Sequence, residues 1–123
     1  MVVTLLKLGK ISVEFDEEEN PEWSAEEMWS HIVRLWCSDN PNLTSLPPLP
    51  PSLTYLYCSN NPNLTSLPPL PHSLTELYCS DNPNLTSLPP LPHSLTVLDC
   101  SDNPNLPFST LEEWKLLQKE RLM

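Results

Sequence analysis

Glycine occurs once in these 123 residues, and lysine and arginine together six times. A single glycine excludes the Gly-rich loops that cradle phosphates, and with them the common nucleotide-binding motifs. Six cations against sixteen carboxylates leave a net charge of −10 and a pI near 4.4. Nucleic acid and anionic membrane are therefore not expected partners, since phosphate binding needs a cationic stripe. No segment approaches the ~20 continuous apolar residues of a membrane span. The opening MVVTLLKLGK lacks the long apolar stretch and small-residue cleavage site of a secretory signal. A cytoplasmic protein, of its own cell or of a host, is expected. There is no C-x-x-C pair, no Ser or Cys matched to a plausible His, and no carboxylate pair in a predictable cleft. An enzyme is not expected.

Proline is what the chain has in excess, with sixteen copies. That level ordinarily marks disorder or a linker. The apolar share of 39% argues for a packed core, provided the apolar residues recur in an order that lets them meet. The length allows one domain, because two halves would each be too small to bury a useful core.

The order is a repeat. Cys37, Cys58, Cys79 and Cys100 are each separated by 21 residues. Around them LTYLYCSNNPNLTSLPPLPHS (Leu53 to Ser73) returns as LTELYCSDNPNLTSLPPLPHS (Leu74 to Ser94). A more divergent copy runs from Ile32 to Ser52 and a truncated one from Leu95 to Leu106. Self-similarity with L-x-x-L-x-L-x-x-N, with Cys here in the sixth position, is the signature of leucine-rich repeats. The pattern predicts an α/β solenoid with about four coils. Leu53, Leu56, Cys58 and their equivalents point inward from short parallel strands stacked about 4.8 Å apart. Asn40, Asn61, Asn82 and Asn103 form a ladder that bonds backbone groups of their own and the next turn. Pro62 and Asn63 make a corner, and Leu64, Leu67 and Leu70 return to the core. The LPPLP stretches suit a polyproline II outer wall, whose backbone stays solvated and whose prolines lower the entropy lost on ordering.

Both ends of such a stack need lids. Residues 1–31 are read as an N-terminal cap, 32–106 as the repeats and 107–123 as a helical C-terminal cap of one domain. Leu8-Gly9-Lys10-Ile11 reads as a hairpin turn, with Gly9 supplying a positive φ. Ile11, Val13 and Phe15 alternate with Ser12 and Glu14 as in a half-buried strand. Ser24 and Glu27 form a capping box opening a helix from Ala25 to about His31, with Trp23 and Trp29 over the first repeat. The acidic run Asp16, Glu17, Glu18, Glu19, Glu22, Glu26 and Glu27 is read as a solvated loop and helix start. At the far end, Ser109 or Thr110 caps a helix to about Leu122, whose Leu111, Trp114 and Leu117 face the last repeat.

With L-x-x-L-x-C-x-x-N-x-x-L-x-x-L-P-x-L-P on the page, Ile32 to Leu106 resembles the short leucine-rich repeats of bacterial effectors (the YopM and IpaH type). Similar LPxLP repeats occur in giant-virus proteins. The resemblance implies a curved solenoid used for protein recognition, without catalysis in the repeats. The unit here is one residue longer than the effector repeat of 20, because Pro-Asn stands between the ladder Asn and the next Leu. The ends do not resemble the helical leader of those effectors, and their ubiquitin-ligase activity is not carried over.

Side chains two and four residues after the first Leu of each copy project onto the inner curved surface. These are Arg34 and Trp36, Tyr55 and Tyr57, Glu76 and Tyr78, Val97 and Asp99. They are where otherwise copied repeats differ, and Trp36, Tyr57 and Tyr78 form an aromatic stripe. Trp, Tyr and Arg dominate binding hot spots, so the expected function is non-enzymatic recognition of a protein or peptide. Stacking that merely stabilises the strands is the plainer reading of the same rings. A structural or consensus-like scaffold without a dedicated partner, as a monomer or weakly self-associating, is the alternative function.

Other features read as structural. In-register parallel Cys side chains do not aim their sulfurs at one another, so buried free thiols are expected rather than disulfides or zinc. Asp39, Asn60, Asp81 and Asp102 are read as turn residues bonding local backbone rather than a calcium ladder. His72 and His93 are surface positions. The sequons at Asn42, Asn63 and Asn84 are copies of a corner. The P-x-x-P spacings lack the flanking cation an SH3 ligand would offer, and their leucines face the core. No cofactor or metal is expected.

Overall fold

A computed structural model describes residues 2–5, 11–15 and 24–121. The turn at Gly9, Trp23, the acids from Asp16 to Glu22 and Leu122 lie outside the described residues. Six strands form one sheet in chain order: β1 (Val2–Leu5), β2 (Ile11–Phe15), β3 (Ile32–Trp36), β4 (Tyr55–Tyr57), β5 (Glu76–Tyr78) and β6 (Val97–Asp99). Helix α1 (Ala25–Ser30) precedes β3, and α2 (Leu111–Arg121) follows β6.

The 21-residue period becomes the register directly. Leu35, Leu56, Leu77 and Leu98 pair in line across four parallel strands, as do Trp36, Tyr57, Tyr78 and Asp99. Each strand reads exposed or half-buried, buried, half-buried, which is the period-two alternation of a sheet covered on one side. Behind it Leu53, Leu56, Leu64, Leu74, Leu77 and Leu85 are fully buried in one cluster with all four cysteines. Each such leucine contributes roughly 1.5–3 kcal/mol by leaving water. The outer leucines are graded: Leu46 and Leu67 are buried, whereas Leu49, Leu70, Leu88 and Leu91 are half-covered.

Two turns bend each coil. Leu64 N–H donates to Asn61 carbonyl at 3.0 Å around Pro62-Asn63, and Leu74 N–H donates to Pro71 carbonyl at 3.1 Å around His72-Ser73. Proline second in the first turn supplies the φ a type I turn requires there. The Pro-rich stretches between these turns carry no helix or strand. Their missing N–H groups leave few donors to satisfy.

The asparagine ladder exists but runs toward the preceding turn, not the next. Asn82 Nδ2 donates to Cys79 carbonyl (2.7 Å) in its own coil and to Cys58 carbonyl (3.1 Å) in the coil before, while its Oδ1 accepts from Asn61 N–H (2.7 Å). Asn103 repeats this geometry with Cys100, Cys79 and Asn82. The direction follows from donor supply: the N–H of the preceding coil's Asn points across the gap and needs an acceptor.

Three further ladders join the coils. Asn84 and Asn105 amides donate to Pro62 and Pro83 carbonyls, one coil back, at 2.7 and 2.8 Å. Ser73 and Ser94 hydroxyls donate to Leu53 and Leu74 carbonyls at 2.6 Å, and Thr54, Thr75 and Thr96 hydroxyls each bond the preceding coil near 3 Å. Every coil is thus tied to its neighbour at corner, strand entry and strand exit.

At the front, β2 pairs antiparallel with β3, a bulge falling between Glu14 and Phe15. Val13 is buried, as its place in the alternation predicts. Glu27 N–H donates to Ser24 Oγ at 3.1 Å, so α1 has its expected N-cap. Trp29 packs against the core and its indole N–H reaches Pro48 carbonyl at 3.0 Å.

At the back, Thr110 is the N-cap: Glu113 N–H donates to its Oγ1 at 3.2 Å, and Glu113 Oε2 accepts from Ser109 N–H at 2.9 Å. The last strand is met first by extended chain. Asp99 bridges antiparallel to Thr110, and Cys100 N–H donates to Ser109 carbonyl at 3.0 Å, in the place a further coil's strand would take. Of the expected helix face, Leu111 packs on the core together with Phe108; Trp114 and Leu117 are half-buried and line a groove with Leu88, Pro89 and Leu106.

Candidate binding face

The eight variable positions lie on the solvent side of β3 to β6, because each flanks the buried central leucine of its strand. Four of them bring their rings together. Tyr55, not Tyr57, is the hub: its ring centroid lies 5.8 Å from Trp36, 6.5 Å from Tyr57 and 5.3 Å from Tyr78. Tyr57 and Tyr78 are 5.8 Å apart. The expected vertical stripe is therefore a four-ring cluster joined partly on diagonals between neighbouring coils. Tilted pairs at these separations satisfy the ring quadrupoles and contribute about 0.5–1.5 kcal/mol each beyond burial. The rings stack on each other, and all four remain partly open to solvent.

The charged members are oriented by local bonds. Arg34 pairs with Glu14 of β2 at 3.1 Å, the two being register partners. Glu76 Oε1 accepts the Tyr78 hydroxyl at 3.0 Å, and this bond to a carboxylate, with burial, pushes the phenol above its ordinary range. Burial raises Tyr55 as well. Asp99 Oδ1 accepts from both Ser101 N–H (3.1 Å) and Ser101 Oγ (2.7 Å), so Asp99 also shapes the strand exit. Val97 is 37% exposed and lines a shallow groove with Thr96, Leu111 and Lys115.

Along the rim where the strands end, Asp39, Asn60, Asp81 and Asp102 have φ of 60, 58, 56 and 57°. That is left-handed backbone, ordinarily given to glycine. Asp and Asn tolerate it better than other side chains, which explains why only these two types occupy the position in a chain with one glycine. The repeated Asp/Asn is a legible signal of that backbone, beyond the local bonding expected of turn residues. Asn60 Nδ2 also donates to Asp39 Oδ1 along the rim.

The cysteines are free and buried. Cys37 Sγ donates to Tyr57 carbonyl at 3.5 Å. A bond with Cys37 and burial hold the Cys58 thiol far up, and a bond with Cys100 and burial do the same for Cys79. A buried thiol held in its protonated form is a poor nucleophile at neutral pH. Among the described residues no group of three or more His, Cys, Asp or Glu has metal-holding geometry. Among the described residues no helix is long and apolar enough to cross a membrane.

Residues 30–72 and 72–115 each match the family model described as Leucine Rich repeats (2 copies). Together these segments take in well over half of the chain. No curated protein and no solved structure matches it significantly.

Proposed function

This chain belongs to the leucine-rich-repeat family, and from that premise we propose that it is a non-enzymatic module binding a protein or peptide partner across the strand face. Repeats of this family generally mediate protein–protein interaction. The observation that carries the reading is the contrast between two sets of positions. Buried leucine, cysteine and asparagine are copied from coil to coil, while of the outward positions Arg34, Tyr55, Glu76 and Val97 all differ, and Trp36 and Asp99 flank the shared Tyr57 and Tyr78; the rings among them form a half-open aromatic cluster. A core needs sameness to stack; a recognition surface needs difference to select.

On this reading the repeats are of the short LPxLP type, residues 1–31 and 107–123 act as lids on a single domain, and the protein works as a monomer or weak homo-oligomer in the cytoplasm of its own or a host cell. A partner-free scaffold is favoured by the ring–ring contacts alone, which would stabilise the sheet without any ligand.

The test is a double substitution, Trp36→Ala with Tyr57→Ala, in a pull-down from a plausible host lysate followed by titration of the captured protein. Loss of capture with the fold retained supports recognition. Unchanged affinity removes the face from consideration and leaves the scaffold reading.

A further inference from the structure

We propose that the strand face takes an arginine-bearing extended segment of its protein partner, with guanidinium groups lying on the rings of Trp36, Tyr55, Tyr57 and Tyr78 and pairing with Glu76 and Asp99. The inference rests on the recognition reading above and specifies its ligand.

Charge supplies the first argument. The face carries one cation, Arg34, and its guanidinium is already engaged by Glu14 at 3.1 Å. Glu76 and Asp99 are left to present negative charge beside the rings. Asp39, Asp81 and Asp102, all exposed, extend that charge along the rim. Lys115, Lys119 and Arg121, the other described cations, belong to α2, where Lys115 borders the groove beside Val97 at the far end of the face. A partner segment that neutralises this field is cationic, and the field would steer it in.

The second argument is the form of the acceptors. Among the described residues each carboxylate is held through one oxygen only: Glu76 by the Tyr78 hydroxyl on Oε1, and Asp99 by Ser101 on Oδ1. Both are therefore pre-oriented with the other oxygen unspent. Tilted rings expose parts of their π faces, on which a flat guanidinium stacks while its edge donates to a carboxylate. A lysine ammonium offers no flat face and no fork, so arginine is the better fit.

Scale supplies the third. Four parallel strands span about 14 Å at the usual spacing, which an extended peptide crosses in roughly four residues. Alternate side chains of such a peptide point the same way about 7 Å apart. Two arginines at i and i+2 can then address the ring cluster and the Glu76–Asp99 end together.

Panning a random-peptide display library against the intact chain at physiological salt tests this. Recovered peptides should be enriched in arginine at i, i+2. Calorimetry on a recovered peptide should show affinity about tenfold weaker for Trp36→Ala and for Glu76→Gln with Asp99→Asn, and weaker again when its arginines become glutamine. Thermal melts of each variant confirm folding, and Glu76→Gln, which keeps an acceptor for Tyr78, serves if Trp36→Ala does not fold. Neutral or acidic peptides that still depend on Trp36 would overturn the arginine assignment and leave recognition by this face standing. Peptides indifferent to every face substitution, or none above background, would overturn both.

Discussion

Replacing Asn82 with alanine isolates what the inner ladder contributes. Three buried hydrogen bonds disappear: two donated to Cys79 and Cys58 carbonyls, and one accepted from Asn61 N–H. The losses are unequal. Cys58 carbonyl still accepts from Asn61 Nδ2 at 2.8 Å, and Cys79 carbonyl from Asn103 Nδ2 at 2.9 Å. Each carbonyl therefore forfeits a second partner, about 0.5 kcal/mol apiece. The N–H of fully buried Asn61 loses its acceptor outright, which costs about 2 kcal/mol. The expected total is about 3 kcal/mol, a large share of the 5–15 kcal/mol that typical domains possess. Asn84→Ala is the control. It removes one exposed bond to Pro62 carbonyl, and about 0.5 kcal/mol should be lost. Urea unfolding followed by circular dichroism measures both, with unchanged m-values showing that only stability moved. Equal losses at the two positions, or a loss below about 1 kcal/mol at Asn82, would refute the account of the buried N–H.

Three further outcomes follow from the same structure. Asp81→Ala should cost about 1–2 kcal/mol, because alanine resists a φ of 56°, whereas Asp81→Gly should not destabilise; thermal melts compare them. The thiols of Cys58 and Cys79 are raised in the folded state, so the fold retains protons that the unfolded chain releases. The sign is then loss of stability as pH rises, beginning near the unfolded thiol value of about 8.5. Tyr55 and Tyr78, also raised, steepen the loss from about pH 10. Unfolding midpoints recorded from pH 7 to 10.5 should fall, and Cys79→Ala should flatten the decline between pH 8.5 and 10. A thiol reagent should label the wild type slowly until denaturant is added.

A period of 21 residues was sufficient to determine most of the scaffold. Identical spacing forces identical positions into line when coils stack, so the buried rows, the parallel register and the eight outward positions could all be read before any coordinate. Both helix caps were legible too, because a hydroxyl followed at three residues by Glu is a local signal. Tertiary structure decided what depends on the gap between coils. There the ladder asparagines turned toward the preceding coil, and outer asparagines and hydroxyls found carbonyls one coil back. The offset between coils moved the centre of the aromatic cluster to Tyr55, since diagonal ring contacts depend on how neighbouring strands lie and not on sequence spacing. The end of the sheet was likewise a tertiary decision. Cys100 N–H and the edge of β6 needed partners that no further repeat supplied, and residues 108–110 met them as extended chain before α2 could begin. Periodicity governs what each coil repeats; unpaired backbone groups at its boundaries govern everything that does not.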